Sequence, residues 1–159
     1  MGTTVADADR DMRAEVSIAA PPERVWELLT RTRTHVDASP ELVAMLPLKP
    51  GGFREGQWFL GLNRRKAVVW PTRNVVTAVV PHRRLAWDTT TSGARWLFEL
   101  EPAASGTRLV QHRVLTKQLT KLSTVFATAL LGGVSGHADE LEEGMAATLH
   151  RLKHIAENT

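Results

Sequence analysis

The sequence predicts an α+β fold: a strand, two short helices, a long run of antiparallel strands and a closing helix. Three observations predict it. Between Gly56 and Leu115, short runs rich in Val, Trp, Leu and Thr alternate with turn signals at hairpin spacing. Beyond residue 140, Leu141, Met145, Leu149, Leu152 and Ala156 form a stripe at i, i+4, i+8, i+11 and i+15, one face of a helix. Ahead of both, an alternating segment runs into a proline-led apolar helix pattern.

In chain order, Val16 and Ile18 alternate with polar neighbours in AEVSIAA, as a half-buried strand does. Pro21 and Pro22 stop it. Pro22 suits a first helical turn, Glu23 favours the positive end of the helix, and Val25, Trp26, Leu28 and Leu29 give an apolar face, so a helix is expected over 22–31. Ser39-Pro40-Glu41 repeats that start signal, and Leu42, Met45 and Leu46 make one apolar side before Pro47, Pro50 and Gly51-Gly52. A second helix of two turns is expected there.

Five strands are then expected at 57–63, 67–80, 84–90, 94–101 and 107–115, parted by Asn63–Lys66, Pro81-His82, Ser92-Gly93 and Ala104–Gly106. Pro71 inside the second of these demands an edge position or a bulge, because proline donates no ladder hydrogen bond. Leu119, Leu122, Phe126, Ala129 and Leu130 fit a short helix that the glycines at 132, 133 and 136 end. The last helix is expected over 137–157, with Arg151, Lys153 and His154 at its negative end.

The 159 residues are 43% hydrophobic and 23% charged, which suits a single domain over 13–157 with a frayed segment 1–12. No cysteine is present, which excludes disulfides, thiolate zinc sites, iron–sulfur clusters and cysteine nucleophiles. The first residues carry acids and no apolar h-region, and Val125–Val134 is half the length needed to span a bilayer. A cytoplasmic protein without an integral membrane segment is the expectation. Net charge is +3, and Arg54–Arg84 holds seven Arg and Lys against Glu55 alone. That count fits a solvated strand face, so no nucleic-acid partner is expected.

The order of elements resembles the helix-grip fold of the SRPBCC superfamily, which holds birch-pollen-allergen-like proteins, START lipid-transfer domains and polyketide cyclases. AEVSIAAPPERVWELL is similar to its opening strand and proline-led helix, and Ser39-Pro40-Glu41 to its second helix. GQWFLGLNRR, Trp70, Pro81, Leu85-Ala86-Trp87, ARWLFELEP and GTRLV follow in family order, and GMAATLHRLKHIAE resembles the closing helix. The resemblance implies a sheet curled around the long helix, with a cavity between them that takes lipids, sterols, hormones or polyketides.

Strand alternation assigns one inner face: Phe59, Gly61 and Asn63; Trp70, Thr72, Asn74 and Val76; Leu85 and Trp87; Trp96, Phe98 and Leu100; Thr107, Leu109, Gln111, Arg113 and Leu115. From this face and the helix stripe, the expected ligand-binding residues are Phe59, Asn63, Trp70, Asn74, Trp87, Trp96, Phe98, Gln111, Arg113, Met145 and Leu149. The plain alternative is that these side chains fill a core. Asn63, Gln111 and Arg113 stand out, since a polar group in an apolar cavity needs a partner or a ligand. Arg113 suits a carboxylate, phenolate or enolate; Asn63 and Gln111 suit orienting a ligand.

Aromatase/cyclase members of the family use an arginine on the strand equivalent to 67–80 to stabilise an enolate. Aligned on Trp70, that position holds Asn74, with Arg73 one residue off, and this chain has no tyrosine. A bulge at Pro71 would exchange the two. His150 and His154, at i, i+4, read as part of an ion-pair face beside Glu143 and Glu157 rather than a metal site. Gly133–His137 misses the G-x-S-x-G pattern and reads as a hinge, and 118–136 as a lid or a packing element. The chain is therefore expected to bind an apolar, lipid- or polyketide-like small molecule without a cofactor. A cyclase/dehydratase is the alternative, and an interaction module of the Hsp90-activator-like branch the second.

Overall fold

A computed structural model describes residues 11–115 and 134–158, with the backbone alone for 134–141. The elements are β1 (Met12–Ile18), α1 (Pro22–Leu29), α2 (Thr32–Ala38), β2 (Leu42–Pro47), β3 (Trp58–Arg65), β4 (Val68–Val80), β5 (Arg84–Thr89), β6 (Ala94–Ala103), β7 (Gly106–Leu115) and α3 (Val134–Glu157). The strands form one curved antiparallel sheet in the order β1-β7-β6-β5-β4-β3-β2. α3 packs against β1 and β7, with α1 and α2 beside it. This is the helix-grip arrangement.

Two expected elements differ. Residues 42–47 are an edge strand, not a helix, and the second short helix lies earlier, at Thr32–Ala38. No helix follows Ser39, although its Oγ accepts from the Glu41 and Leu42 amides at 3.2 and 3.0 Å in the turn that leads into the strand. A two-turn helix between Pro40 and Pro47 would have satisfied few backbone groups, whereas pairing with β3 satisfies the run and puts Met45 against Phe59 and Val76. α2 carries no apolar stripe to announce it; what it buries is Thr34, His35 and Ala38. α1 ends at Leu29, two residues early, where Thr30 Oγ1 donates to the Trp26 carbonyl at 3.0 Å.

Pro71 marks an edge, not a bulge. It stands opposite Leu62 in the part of β4 that pairs with β3 but not with β5, which begins its pairing at Asn74. The β4 bulge comes later, between Val76 and Ala78. α3 starts at Val134, so Ser135 and Gly136 are helical rather than a hinge. The helix expected around 119–130, and any lid there, lie outside the described residues. β1 begins at Met12, a buried residue opposite Arg113.

The main core joins Ile18, Leu85, Phe98, Leu100 and Leu109 of the sheet to Val25, Leu28 and Leu29 of α1 and Leu149, Leu152 and Ala156 of α3. Each fully buried side chain of this size stabilises by about 1.5–3 kcal/mol relative to exposure. A smaller cluster of Met45, Phe59 and Val76 joins it through Phe53, Val79 and Trp87. Glu157 accepts the Ala19 amide at 2.7 Å and Lys153 donates to the Ser17 carbonyl at 2.7 Å, fixing the end of α3 to β1.

Candidate functional site: the inner face of the sheet

Cross-strand register places the expected face as read. Phe59 stands opposite Asn74, which faces Thr89; Val76 faces Trp87, then Trp96, then Arg113; Leu85 faces Phe98, then Gln111, then Ala14. The alternation carries through because same-face neighbours are register partners. Asn74 is buried and Arg73 exposed, which settles the register beyond Pro71. His112 lies on the outer face, 3.3 Å from Glu99.

The centre of this face is aromatic. Phe53, from the loop before β3, stacks near Phe59 at 4.9 Å between centroids, and Trp87 lies 5.8 Å from Phe98. Into this cluster α2 inserts His35, its ring 5.4 Å and edge-on from Trp87, 5.5 Å from Phe53 and 5.8 Å from Phe98. His35 Nε2 sits 2.7 Å from the Leu29 carbonyl. A carbonyl can only accept, so Nε2 carries the proton and Nδ1 keeps its lone pair. Burial pushes this imidazole below its ordinary pKa, partly offset by the Leu29 hydrogen bond. His35 escaped the sequence reading because it stands in a polar stretch, TRTHVDA, with no apolar periodicity around it.

Two polar groups divide the rest of the face. Towards β2, Asn63, Thr72, Asn74 and Thr89 form a side-chain network: Thr89 Oγ1 donates to Asn74 Oδ1 at 2.6 Å, while Asn74 and Asn63 each donate to Thr72 Oγ1 at 3.3 Å. Gly61 makes room for it, since a Cβ there would sit 2.6 Å from Thr72 Oγ1. Asn63 and Asn74 therefore already have protein partners. Trp70 is half-buried opposite Asn63, beyond the reach of β5.

Towards β1, Gln111 and Arg113 are each 5% exposed. Gln111 Oε1 is buried with no hydrogen-bond partner among the described residues. The Arg113 guanidinium lies 5.9 Å from the centroid of Trp96, at cation–π range. Leu149 of α3 packs with Phe98 and Leu109, and Met145 is buried one turn before it. The face thus offers flat apolar contact, a cation, an amide and an imidazole lone pair. Such a set can hold a ring system and orient an oxygen on it.

Other features stand apart. An open groove of about 480 Å³ beside α2, lined by Val36, Pro40, Leu42, Val43, Arg64 and Lys66 among others, shares none of the expected site residues. Leu46, Trp58, Leu62 and Val69 are exposed on the outer side of β2–β4. His150 and His154 are exposed on α3, and no three metal-ligating side chains converge among the described residues. No described helix is long and apolar enough to cross a membrane.

A family model described as polyketide cyclase / dehydrase and lipid transport matches residues 9–157. No curated protein matches the sequence. Among solved structures, protein NE0264 from Nitrosomonas europaea is 17% identical with a TM-score of 0.67, over 93% of this chain and 94% of that one. The polyketide-cyclase-like protein Cgl2372 from Corynebacterium glutamicum is 24% identical with a TM-score of 0.61, over 92% and 91%. The di-domain ARO/CYC BexL from the BE-7585A biosynthetic pathway is 19% identical with a TM-score of 0.70, over 96% of this chain and 52% of that one. At such identities the likeness is one of fold.

Proposed function

The chain belongs to the polyketide cyclase / dehydrase and lipid transport family, and on that premise we propose that it binds an apolar, lipid- or polyketide-like molecule between the sheet and α3. One observation carries the reading: Gln111 and Arg113, both buried, stand beside Phe98, Trp96 and Leu109 on the inner face. A pure core gains nothing from an amide and a guanidinium there, whereas a ligand site uses such groups to fix orientation. Phe59, Trp87, Trp96, Phe98, Met145 and Leu149 supply the apolar contact. Arg113 meets an anionic or enolic oxygen. Asn63 and Asn74, tied to Thr72 and Thr89, shape the β2 side of the site, with Trp70 at its far end.

The test is titration with N-phenyl-1-naphthylamine, a neutral probe, followed by tryptophan quenching. Saturation near 1:1 is expected, weakened by Trp96→Ala beyond any change in stability. Probe uptake that never saturates, or that ignores Trp96→Ala, refutes the site.

Turnover is a second reading, and His35 favours it. Ring closure of a poly-β-keto chain needs a proton acceptor and stabilisation of an enolate oxygen. His35 Nδ1 has the lone pair, and Arg113 has the charge. Incubation with aromatic-polyketide precursors decides it. Multiple turnovers lost in Arg113→Ala and kept in Arg73→Ala, an exposed control, establish the enzyme over the binder.

A further inference from the structure

We propose that the bound molecule presents a hydroxyl group, phenolic, enolic or alcoholic, to the side-chain amide of Gln111. This rests on the binding site proposed above and specifies its ligand. Gln111 is 5% exposed, and its Oε1 is fully buried without a hydrogen-bond partner among the described residues. A buried acceptor left unpaired destabilises the fold. The other inner-face amides show the contrast, since Asn63 and Asn74 are both hydrogen-bonded within the face.

The surroundings narrow what can pair with Gln111. Its register partners on the same face are Phe98 and Ala14. Neither the Phe98 nor the Ala14 side chain offers a hydrogen bond. The nearest sites along β7 on this face are Leu109, fully buried, and Arg113. A ligand group reaching the amide therefore arrives over an aromatic surface and past a cation. A carboxylate would be drawn to Arg113 and would repel Oε1. A ketone could accept from the amide nitrogen but would leave Oε1 unpaired. A hydroxyl both donates and accepts, so it pairs with Oε1 and can turn its own oxygen towards the amide nitrogen or Arg113.

The test compares 2-naphthol with naphthalene, two probes of one ring system, on the wild-type protein and on Gln111→Leu and Gln111→Met. Binding is read by tryptophan quenching or calorimetry. Both variants are expected to bind 2-naphthol about ten-fold more weakly than wild type, with naphthalene affinity within two-fold or improved. Thermal midpoints of both apo variants are expected at or above wild type, because the unpaired acceptor is gone. Equal changes for the two probes, or none, overturn the hydroxyl assignment while leaving an apolar site in place. Saturable binding of neither probe to wild type removes the site itself and the assignment with it. A lower midpoint in both variants shows that the amide holds the fold together, which also overturns the proposal.

Discussion

The imidazole Nε2 of His35 lies 2.7 Å from the carbonyl oxygen of Leu29, tying α2 to the last turn of α1 inside the aromatic cluster. That carbonyl is at a helix end, where no intrahelical amide serves it. The bond therefore satisfies a buried backbone group and sets the tautomer of a buried histidine together.

Acid should weaken the fold through this residue. The folded imidazole titrates below 6.5 and the unfolded one near it. Between those values the unfolded chain binds the extra proton, so stability falls as pH drops below about 6.5 and is unaffected by His35 above that range. Its part of the slope reaches at most about 1.4 kcal/mol per pH unit. His35→Gln, which keeps a donor for Leu29, should flatten the stability curve between pH 7 and 5. Parallel curves for the two proteins would show that His35 does not titrate on unfolding.

The Asn74–Thr89 bond should prove the strongest link of the inner polar network. Thr89→Val leaves Asn74 Oδ1 without its 2.6 Å donor and should cost about 1–3 kcal/mol in urea unfolding. Asn74→Leu strands the Thr89 hydroxyl and leaves Thr72 Oγ1 with Asn63 alone, and should cost at least as much. A double mutant costing less than the sum of the singles would measure their coupling; strict additivity would mean that the bond contributes nothing.

Two glycines should resist substitution to different degrees. Gly61→Ala puts a Cβ against Thr72 Oγ1, a side-chain atom that can rotate away, at a cost of about 1–3 kcal/mol. Gly106 has φ +147°, and a Cβ there would meet the Ile18 carbonyl at 2.1 Å. Backbone cannot rotate away, so Gly106→Ala should be the more damaging by thermal melt and should loosen β1 from β7. Equal melting points for the two variants would contradict that ranking.

On the outer face Arg108 bridges Glu15 of β1 and Glu101 of β6. Hydrogen bonds from Arg108 and then Arg13 hold the Glu15 carboxyl down at about 2. Carboxyl NMR should find Glu15 titrating well below the ordinary carboxylate range, and Arg108→Ala should return it most of the way there. Both groups are exposed, so the effect should shrink in high salt. Any stability the pair adds is present above about pH 4.5 and lost as pH falls towards 2. An ordinary Glu15 midpoint in the wild type would refute the bridge.

Much of this could be read from residue order alone. Strand periodicity is two, so each of β3 to β7 assigned its own faces, and Phe59, Asn74, Trp87, Phe98, Gln111 and Arg113 all lie on the inner face as read. Pro71 announced an edge or a bulge because proline lacks a ladder donor, and the strand pairing decided for the edge. The closing helix was written in its apolar stripe. These are local signals, and the chain needs no partner segment to display them.

What only the tertiary structure decided depends on contacts between distant segments. Leu42–Pro47 became a strand because β3 offers it hydrogen bonds that a two-turn helix could not match. His35 became part of the site because α2 is laid against Trp87 and Phe98, more than fifty residues away. Asn63 and Asn74 found partners in Thr72 and Thr89, while Gln111 Oε1 has none among the described residues. Whether a buried polar group is paired depends on which side chains the fold brings within about 3 Å of it, and sequence spacing does not encode that distance.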